Sequence, residues 1–211
     1  MSIFYFNIED LVTKMKTVVG FLSRSHGYDV LSSLIKSDSY KLLRVYTHSL
    51  NPKSQDITRS EREDFQTFKK KCEENNIPLF AIDSKDSDLD DDFPSCDFIV
   101  EVSWRYLISK SITTKARIAA FGIHRGKLPE FAGTEPIKQA LQAKENEIVL
   151  SGHFLEPVID SGAVIAKVSH PVNYNNNLSL EENVNRLRKE ITPLFSSLVL
   201  KIFNILERNS Y

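Results

Sequence analysis

Glycine is scarce in this chain. It occurs seven times in 211 residues, and no Gly-x-Gly-x-x-Gly or P-loop pattern is among the occurrences. The usual glycine-built phosphate cradles are therefore missing. Cysteine is scarcer still: Cys72 and Cys96 can build neither a disulfide framework nor a four-cysteine zinc site, and they point to a reducing compartment. A basic excess is also lacking. Lys+Arg is 27 against Asp+Glu 28, a formal net charge of −1, which gives no support to bulk nucleic-acid binding but leaves room for a local basic patch. No run approaches the ~20 apolar residues of a membrane-spanning helix. The start, MSIFYFNIEDLVTK, has no basic n-region and places Glu9 and Asp10 where a signal peptide needs apolar residues. What remains is ordinary globular composition, 41% hydrophobic and 26% charged, at a length suited to one α/β domain. The expectation is a soluble cytoplasmic protein with no metal site.

The pattern along the chain supports that class. Thr17–Leu22 is a short β-branched run that reads as a buried strand, and Ser23-Arg24-Ser25-His26-Gly27 reads as the loop after it. Val30, Leu31, Leu34 and Ile35 have helical spacing, and 42–47 reads as a second strand, completing the opening of a parallel sheet. A charged helix is expected over 60–75, and strands over 77–82, 97–102 and 116–123. The run DSKDSDLDDD at 83–92 reads as a solvated loop. A helix over 134–143 and a strand pair at 148–155 and 163–168 follow. Residues 179–207 carry a long apolar helical stripe, with a capping box at Ser179-Leu180-Glu181-Glu182 and Pro193 predicting a kink or restart.

Imidazoles are the natural place to look for proton-transfer chemistry. His26 lies after the first strand, where α/β folds bind ligands, and with Arg24, Ser25 and Gly27 it offers an anion site; an ordinary strand-to-helix turn fits the same residues. His48 and His170 have no supporting neighbours and default to the surface. His124 ends the fifth strand, His153 sits in the apolar run 148–154, and Asp160 follows seven residues later in Ile159-Asp160-Ser161-Gly162. A carboxylate beside a strand-end imidazole orients it and raises its basicity. Two core histidines and an Asx turn at Asp160 satisfy the same spacing.

GIHRGKLPEFAGTEPIKQAL followed by GHFLEPVIDSGAVI resembles the 10-formyltetrahydrofolate-dependent formyltransferases. In that family an Asn-x-His strand end precedes Leu-Pro and a Gly, then a strand with a His, then Asp-x-Gly. His124, Leu128, Pro129, Gly133, His153, Asp160 and Gly162 take those places in order. The resemblance runs from the strand at Thr17 to the last helix. It implies a Rossmann-like α/β fold, a mostly parallel sheet with flanking helices and a long C-terminal helix. It divides the chain into an N-terminal extension (1–16) and a catalytic domain (17–211).

The resemblance further implies that His124, Asp160 and His153 carry the chemistry. Arg105, Tyr106 and Ile108, with Glu156, Val158 and Ile159, would hold the folate co-substrate. Arg24, His26, Gly27 and Arg125 would meet the acceptor. Trp104 reads as packing. One position departs from the pattern: the family's Asn, taken to hold the formyl oxygen, is Gly122 here. The expected activity is N-formyl transfer from 10-formyltetrahydrofolate to a small amine, foremost a nucleotide-linked amino sugar. Phosphoribosylglycinamide, a formyltetrahydrofolate hydrolase activity and a non-catalytic binding role are the alternatives. The expected partners are the amine and, as an option, a second copy in a homodimer, without nucleic acid or membrane.

Overall fold

The computed structural model describes residues 15–85, 89 and 92–208. Its framework is one seven-stranded sheet in the order β3-β2-β1-β4-β5-β6-β7. The strands are β1 (Lys16–Leu22), β2 (Tyr40–Thr47), β3 (Leu79–Ala81), β4 (Cys96–Val102), β5 (Ala116–His124), β6 (Glu147–Phe154) and β7 (Val164–Pro171). The helices are α1 (Arg24–Ile35), α2 (Phe65–Glu74), α3 (Lys110–Thr113), α4 (Pro136–Gln142), α5 (Leu180–Glu190) and α6 (Thr192–Arg208). Pairings among β1 to β5 are parallel, whereas β6 pairs antiparallel with both β5 and β7.

The central strands are apolar on both sides because helices and loops cover both sheet faces. On one face Val18, Leu22, Phe98, Val100, Phe121 and Ile123 meet α1 and α6. Helix α6 supplies Phe195, Leu198, Val199, Ile202 and Phe203, all buried, at the i, i+3, i+4, i+7, i+8 spacing of a core-facing stripe. The other face holds Val19, Phe21, Tyr46, Phe93 and Ile99, with Phe21 stacked on Tyr46 at 4.8 Å. The long C-terminal stripe divides at Ile191. Ser179 forms the expected capping box with Glu182 at the start of α5, and Pro193 opens α6 rather than bending one helix.

Several expectations change. The expected loop over 23–27 is not a loop: α1 begins at Arg24. Gly27 allows this, since a Cβ there would lie 2.8 Å from the Leu22 carbonyl carbon, so the helix rests directly on the strand it follows. His26 consequently points inward. Its ring stacks on Phe195 at 4.3 Å, and Nδ1 lies 3.1 Å from the Thr192 hydroxyl. His48, expected at the surface, is buried against Trp104 at 4.1 Å, with Nδ1 2.5 Å from the Ile82 carbonyl. His170 is half-buried and pairs with Glu190 at 3.0 Å.

Helix α2 starts later than expected because Glu61 bridges to Leu50 and the Arg62 N–H bonds to the Ser49 carbonyl, keeping the chain extended. The third strand is confined to three residues. The short α3 had no periodic signal. Of the proposed N-terminal extension, 1–14 lie outside the described residues, and Lys16 already belongs to β1. In the acidic run, Asp86, Ser87, Asp88, Asp90 and Asp91 lie outside the described residues. Asp83 instead accepts from the Ser49 and Leu50 N–H groups.

The two inward histidines set an acid limit on the fold. Burial pushes His26 down to about 3 and His48 down to about 4, so the folded state holds both neutral. The unfolded chain binds protons on them as pH falls below the ordinary histidine value, about 6.5, and the folded chain does not. Unfolding free energy should therefore fall as pH is lowered from about 6.5 to about 4. Urea titrations across that range should show a shallower fall in the H26Q/H48Q double variant; an unchanged slope would remove these residues as its source.

Candidate active site

In an open α/β sheet, ligands bind beyond the carboxyl ends of the strands where the strand order reverses. Here the reversal lies between β1 and β4, which are neighbours in the sheet although β2 and β3 intervene in the chain. A cleft of about 560 Å3 opens at that edge and extends over β5 and β6.

Strand register assembles its floor. Glu101 on β4 pairs with Gly122 on β5, and Gly122 pairs with His153 on β6. Side chains at paired positions share a sheet face, and His124, two residues beyond Gly122, shares it too. The loop after β6 brings Asp160 over this row. Its Oδ2 lies 3.3 Å from His124 Nδ1, and its Oδ1 lies 3.6 Å from His153 Nε2. Sequence spacing alone left these residues open as core histidines and a turn; the fold brings all three together at the cleft.

The hydrogen bonds define the roles of the imidazole nitrogens. His124 Nε2 lies 2.7 Å from the Phe131 carbonyl, and a carbonyl only accepts, so Nε2 carries hydrogen. Nδ1 is then the nitrogen left to exchange a proton at Asp160. His153 Nδ1 likewise donates to the Phe154 carbonyl at 3.0 Å. Burial lowers the His153 pKa against the opposing pull of that carbonyl and Asp160. Burial alone would raise the Asp160 carboxyl, but the bond to His124 and the Gly133 N–H at 2.9 Å outweigh it and hold the group below its ordinary value. The loop carrying Gly126 and Leu128 is fixed from below. Ser151 Oγ accepts the Leu128 N–H and donates to the Gly126 carbonyl, and Lys167 Nζ donates to the Leu128 carbonyl.

Gly122 does not leave an empty space. A Cβ built on it would lie 2.5 Å from Glu101 Oε2, so the glutamate side chain occupies the room that a side chain at 122 would need. Glu101 Oε1 accepts the Trp104 N–H at 2.7 Å, a bond made possible by the left-handed turn at Ser103 (φ 58°). Burial pushes the Glu101 carboxyl up to about 7, against the Trp104 bond and with the help of Asp160.

Arginines also line the cleft. They are Arg24, Arg105, Arg125 and Arg188, and among the described residues none has a carboxylate within 4.0 Å. Burial and repulsion from neighbouring arginines, foremost Arg62 for Arg24 and Arg105 and Arg188 for Arg125, lower the pKa values of Arg24, Arg105 and Arg125, the last to about 10. Among the described residues, eight buried polar side-chain atoms lack a partner, and five belong to cleft residues: Ser103, Trp104, Arg105 (two atoms) and Arg188. Buried polar groups are normally satisfied, so this concentration marks a place for a polar, anionic ligand.

The cleft also gathers Tyr106, Ile108, Glu156, Val158 and Ile159, as expected for one pocket. Trp104 packs edge-on to Phe21 at 5.1 Å and also borders the cleft. His26 and Gly27, expected beside the acceptor, lie on the buried face of α1 instead. Glu101 and Arg188 escaped the sequence reading. The signal for Glu101 was an ionisable residue inside the apolar run Phe98-Ile99-Val100-Glu101-Val102. Arg188 had no such signal, because a charged residue on an amphipathic helix is commonplace. Among the described residues, no group of three His, Cys, Asp or Glu side chains is placed to hold a metal ion.

Comparisons with known proteins agree with this architecture. A family profile described as "Formyl transferase" matches residues 18–198. The chain is 25% identical over 190 residues to a methionyl-tRNA formyltransferase of Lactobacillus delbrueckii subsp. bulgaricus, covering 89% of this chain and 57% of that protein. It is 29% identical over 158 residues to the bifunctional polymyxin resistance protein ArnA of Wigglesworthia glossinidia brevipalpis, covering 74% of this chain and 23% of that protein. The chain thus spans 57% or less of the length of these relatives. Among solved structures, a phosphoribosylglycinamide formyltransferase of Brucella melitensis superimposes with a TM-score of 0.65 at 18% identity, covering 89% of this chain and 95% of that one. A formyltetrahydrofolate deformylase of Pseudomonas syringae pv. tomato gives 0.64 at 20% identity, covering 89% and 60%. These superpositions establish a shared fold, and the profile match across 18–198 shows that the chain belongs to the formyl transferase family.

Proposed function

We propose that this chain transfers the formyl group of 10-formyltetrahydrofolate to the primary amine of a small, phosphate-bearing acceptor, foremost a nucleotide-linked amino sugar. The observation that carries the reading is the His124–Asp160 pair, 3.3 Å apart, in a cleft also lined by four arginines without carboxylate partners among the described residues. The first feature suits proton transfer at an acyl centre, the second a phosphorylated acceptor. The rim has a third character. Leu107, Val158 and Ile159 are 59%, 66% and 67% exposed, and they are three of the seven large apolar side chains found exposed among the described residues. Apolar groups gathered around a cleft mark a surface for a flat ring, here the pterin.

In the reaction the acceptor nitrogen attacks the formyl carbon, forming a C–N bond and placing negative charge on the formyl oxygen. Collapse breaks the bond to the folate nitrogen. One proton leaves the acceptor and one reaches the folate nitrogen, so none is consumed overall. Asp160 is placed to take the amine proton and His124 Nδ1 to relay it. Phe131 fixes the His124 ring, and His153 supports Asp160 from beneath. Phosphoribosylglycinamide also combines an amine with a phosphate, and the same arginines favour it as the second acceptor.

Tetrahydrofolate formation followed with a panel of nucleotide-linked amino sugars, phosphoribosylglycinamide and aminoacyl-tRNA tests the proposal. Turnover is expected with a small phosphate-bearing amine and not with aminoacyl-tRNA. Formate release in its absence would identify a hydrolase. His124→Ala and Asp160→Asn should each lower kcat by about 10²–10⁴-fold, the usual contribution of general acid–base groups. Asn tolerates the left-handed backbone at 160 (φ 55°), so D160N should stay folded. Full activity in either variant would remove the residue from the mechanism. Arg188→Ala should raise KM for the acceptor by roughly 10–100-fold, the loss of a charge-assisted bond, with little change in KM for the folate. An unchanged acceptor KM would place the phosphate elsewhere.

A further inference from the structure

We propose that Glu101, on the strand beside Gly122, donates the hydrogen bond to the formyl oxygen, in place of a carboxamide at position 122. The inference rests on the formyl-transfer reading and adds a residue that the sequence pattern did not contain. Its foundation is the register across β4 and β5. Glu101 pairs directly with Gly122, and Oε2 lies 2.5 Å from where a Cβ at 122 would be. A side chain at 122 and the present Glu101 rotamer exclude each other. The missing β5 side chain and the inward β4 carboxyl are thus two halves of one arrangement. The carboxyl borders the cleft, in the same row of paired positions as His153.

Chemistry decides which oxygen acts. Oε1 accepts the Trp104 N–H, so it presents a lone pair to the protein. Oε2 lies over Gly122 and is the site for a proton. Burial favours the neutral acid and brings its pKa to about 7. The ionisable groups facing it are Asp160 from the loop after β6, which favours the acid, and His124 and Arg125 from β5 and its end, which favour the carboxylate. A neutral carboxylic acid in such surroundings can donate a hydrogen bond to a developing oxyanion. The proton remains on Glu101 throughout; only the hydrogen bond strengthens as charge builds on the formyl oxygen.

The direct test is isotope-edited infrared spectroscopy of 10-formyltetrahydrofolate carrying a 13C formyl group, bound without acceptor. In the wild type at about pH 6 the formyl carbonyl band should shift to lower frequency than in solution, as an O–H donor requires. The shift should shrink in E101A, persist in E101Q, and fade in the wild type but not in E101Q as pH rises to about 8. In turnover, E101A should lose about 10²–10³-fold in kcat with a modest change in KM for the folate, and E101A/G122N should recover part of the loss. E101Q should fall far less and lose the alkaline limb of the pH profile.

The same band position in the wild type and E101A would overturn the proposal. So would activity in the wild type that rises through pH 7 and disappears in E101Q, because Glu101 would then be a base. A shifted band without turnover on any acceptor would defeat formyl transfer and leave the Glu101 contact standing. Normal turnover with no Glu101-dependent shift would do the reverse. Absence of folate binding would defeat both.

Discussion

Three neighbouring strands hold Glu101, Gly122 and His153 in register, and the chemistry proposed for the cleft depends on that row. Strand pairing fixes it to the residue, because a slip of one position would send every side chain to the opposite sheet face. The antiparallel pairing of β6 is essential to the arrangement. It brings His153 back beside β5 and sends the following loop over the strand end, where Asp160 reaches His124. An all-parallel sheet would need a long crossover at this point and could not return the chain so directly.

Stability is given up locally at this site. Seven described non-glycine residues have positive φ, and four of them, Arg24, Ser103, Glu135 and Asp160, line the cleft. Such conformations carry a cost of order 1–3 kcal/mol each and persist only where surrounding structure holds them. The scaffold provides that hold: Ser103 places the Trp104 N–H on Glu101, and Asp160 is tied to Gly133 and His124. The arginines lining the cleft add a second strain, electrostatic rather than conformational. In the proposed reaction, the phosphate of the acceptor would relieve both the repulsion among these arginines and the unpaired donors.

The framework of the fold was legible because its signals are local. Periodicity identified β1, the strands that follow it and the C-terminal stripe, while the capping box at Ser179 marked the start of α5 and Pro193 the start of α6. The motif order also selected His124, His153 and Asp160. Failures arose where tertiary context overrode local chemistry. Residues 23–27 look like an anion loop, but close contact of Gly27 with Leu22 lets the helix begin at once and turns His26 inward. His48 resembles a surface residue until Trp104 stacks on it. The replacement of Asn by Gly122 reads as a loss in one dimension. Its complement lies 21 residues earlier, on the partner strand, and only the pairing reveals it.

The most direct test of the account follows the formyl carbon itself. Purified protein is supplied with 10-formyltetrahydrofolate labelled with 13C in the formyl group, and the label is traced by NMR with and without a nucleotide-linked amino sugar or phosphoribosylglycinamide. The account predicts that the label moves to a new formamide on the phosphate-bearing amine and that tetrahydrofolate accumulates in equal amount. Label released as formate whether or not the amine is present, or label that stays on the folate with every acceptor, would contradict it.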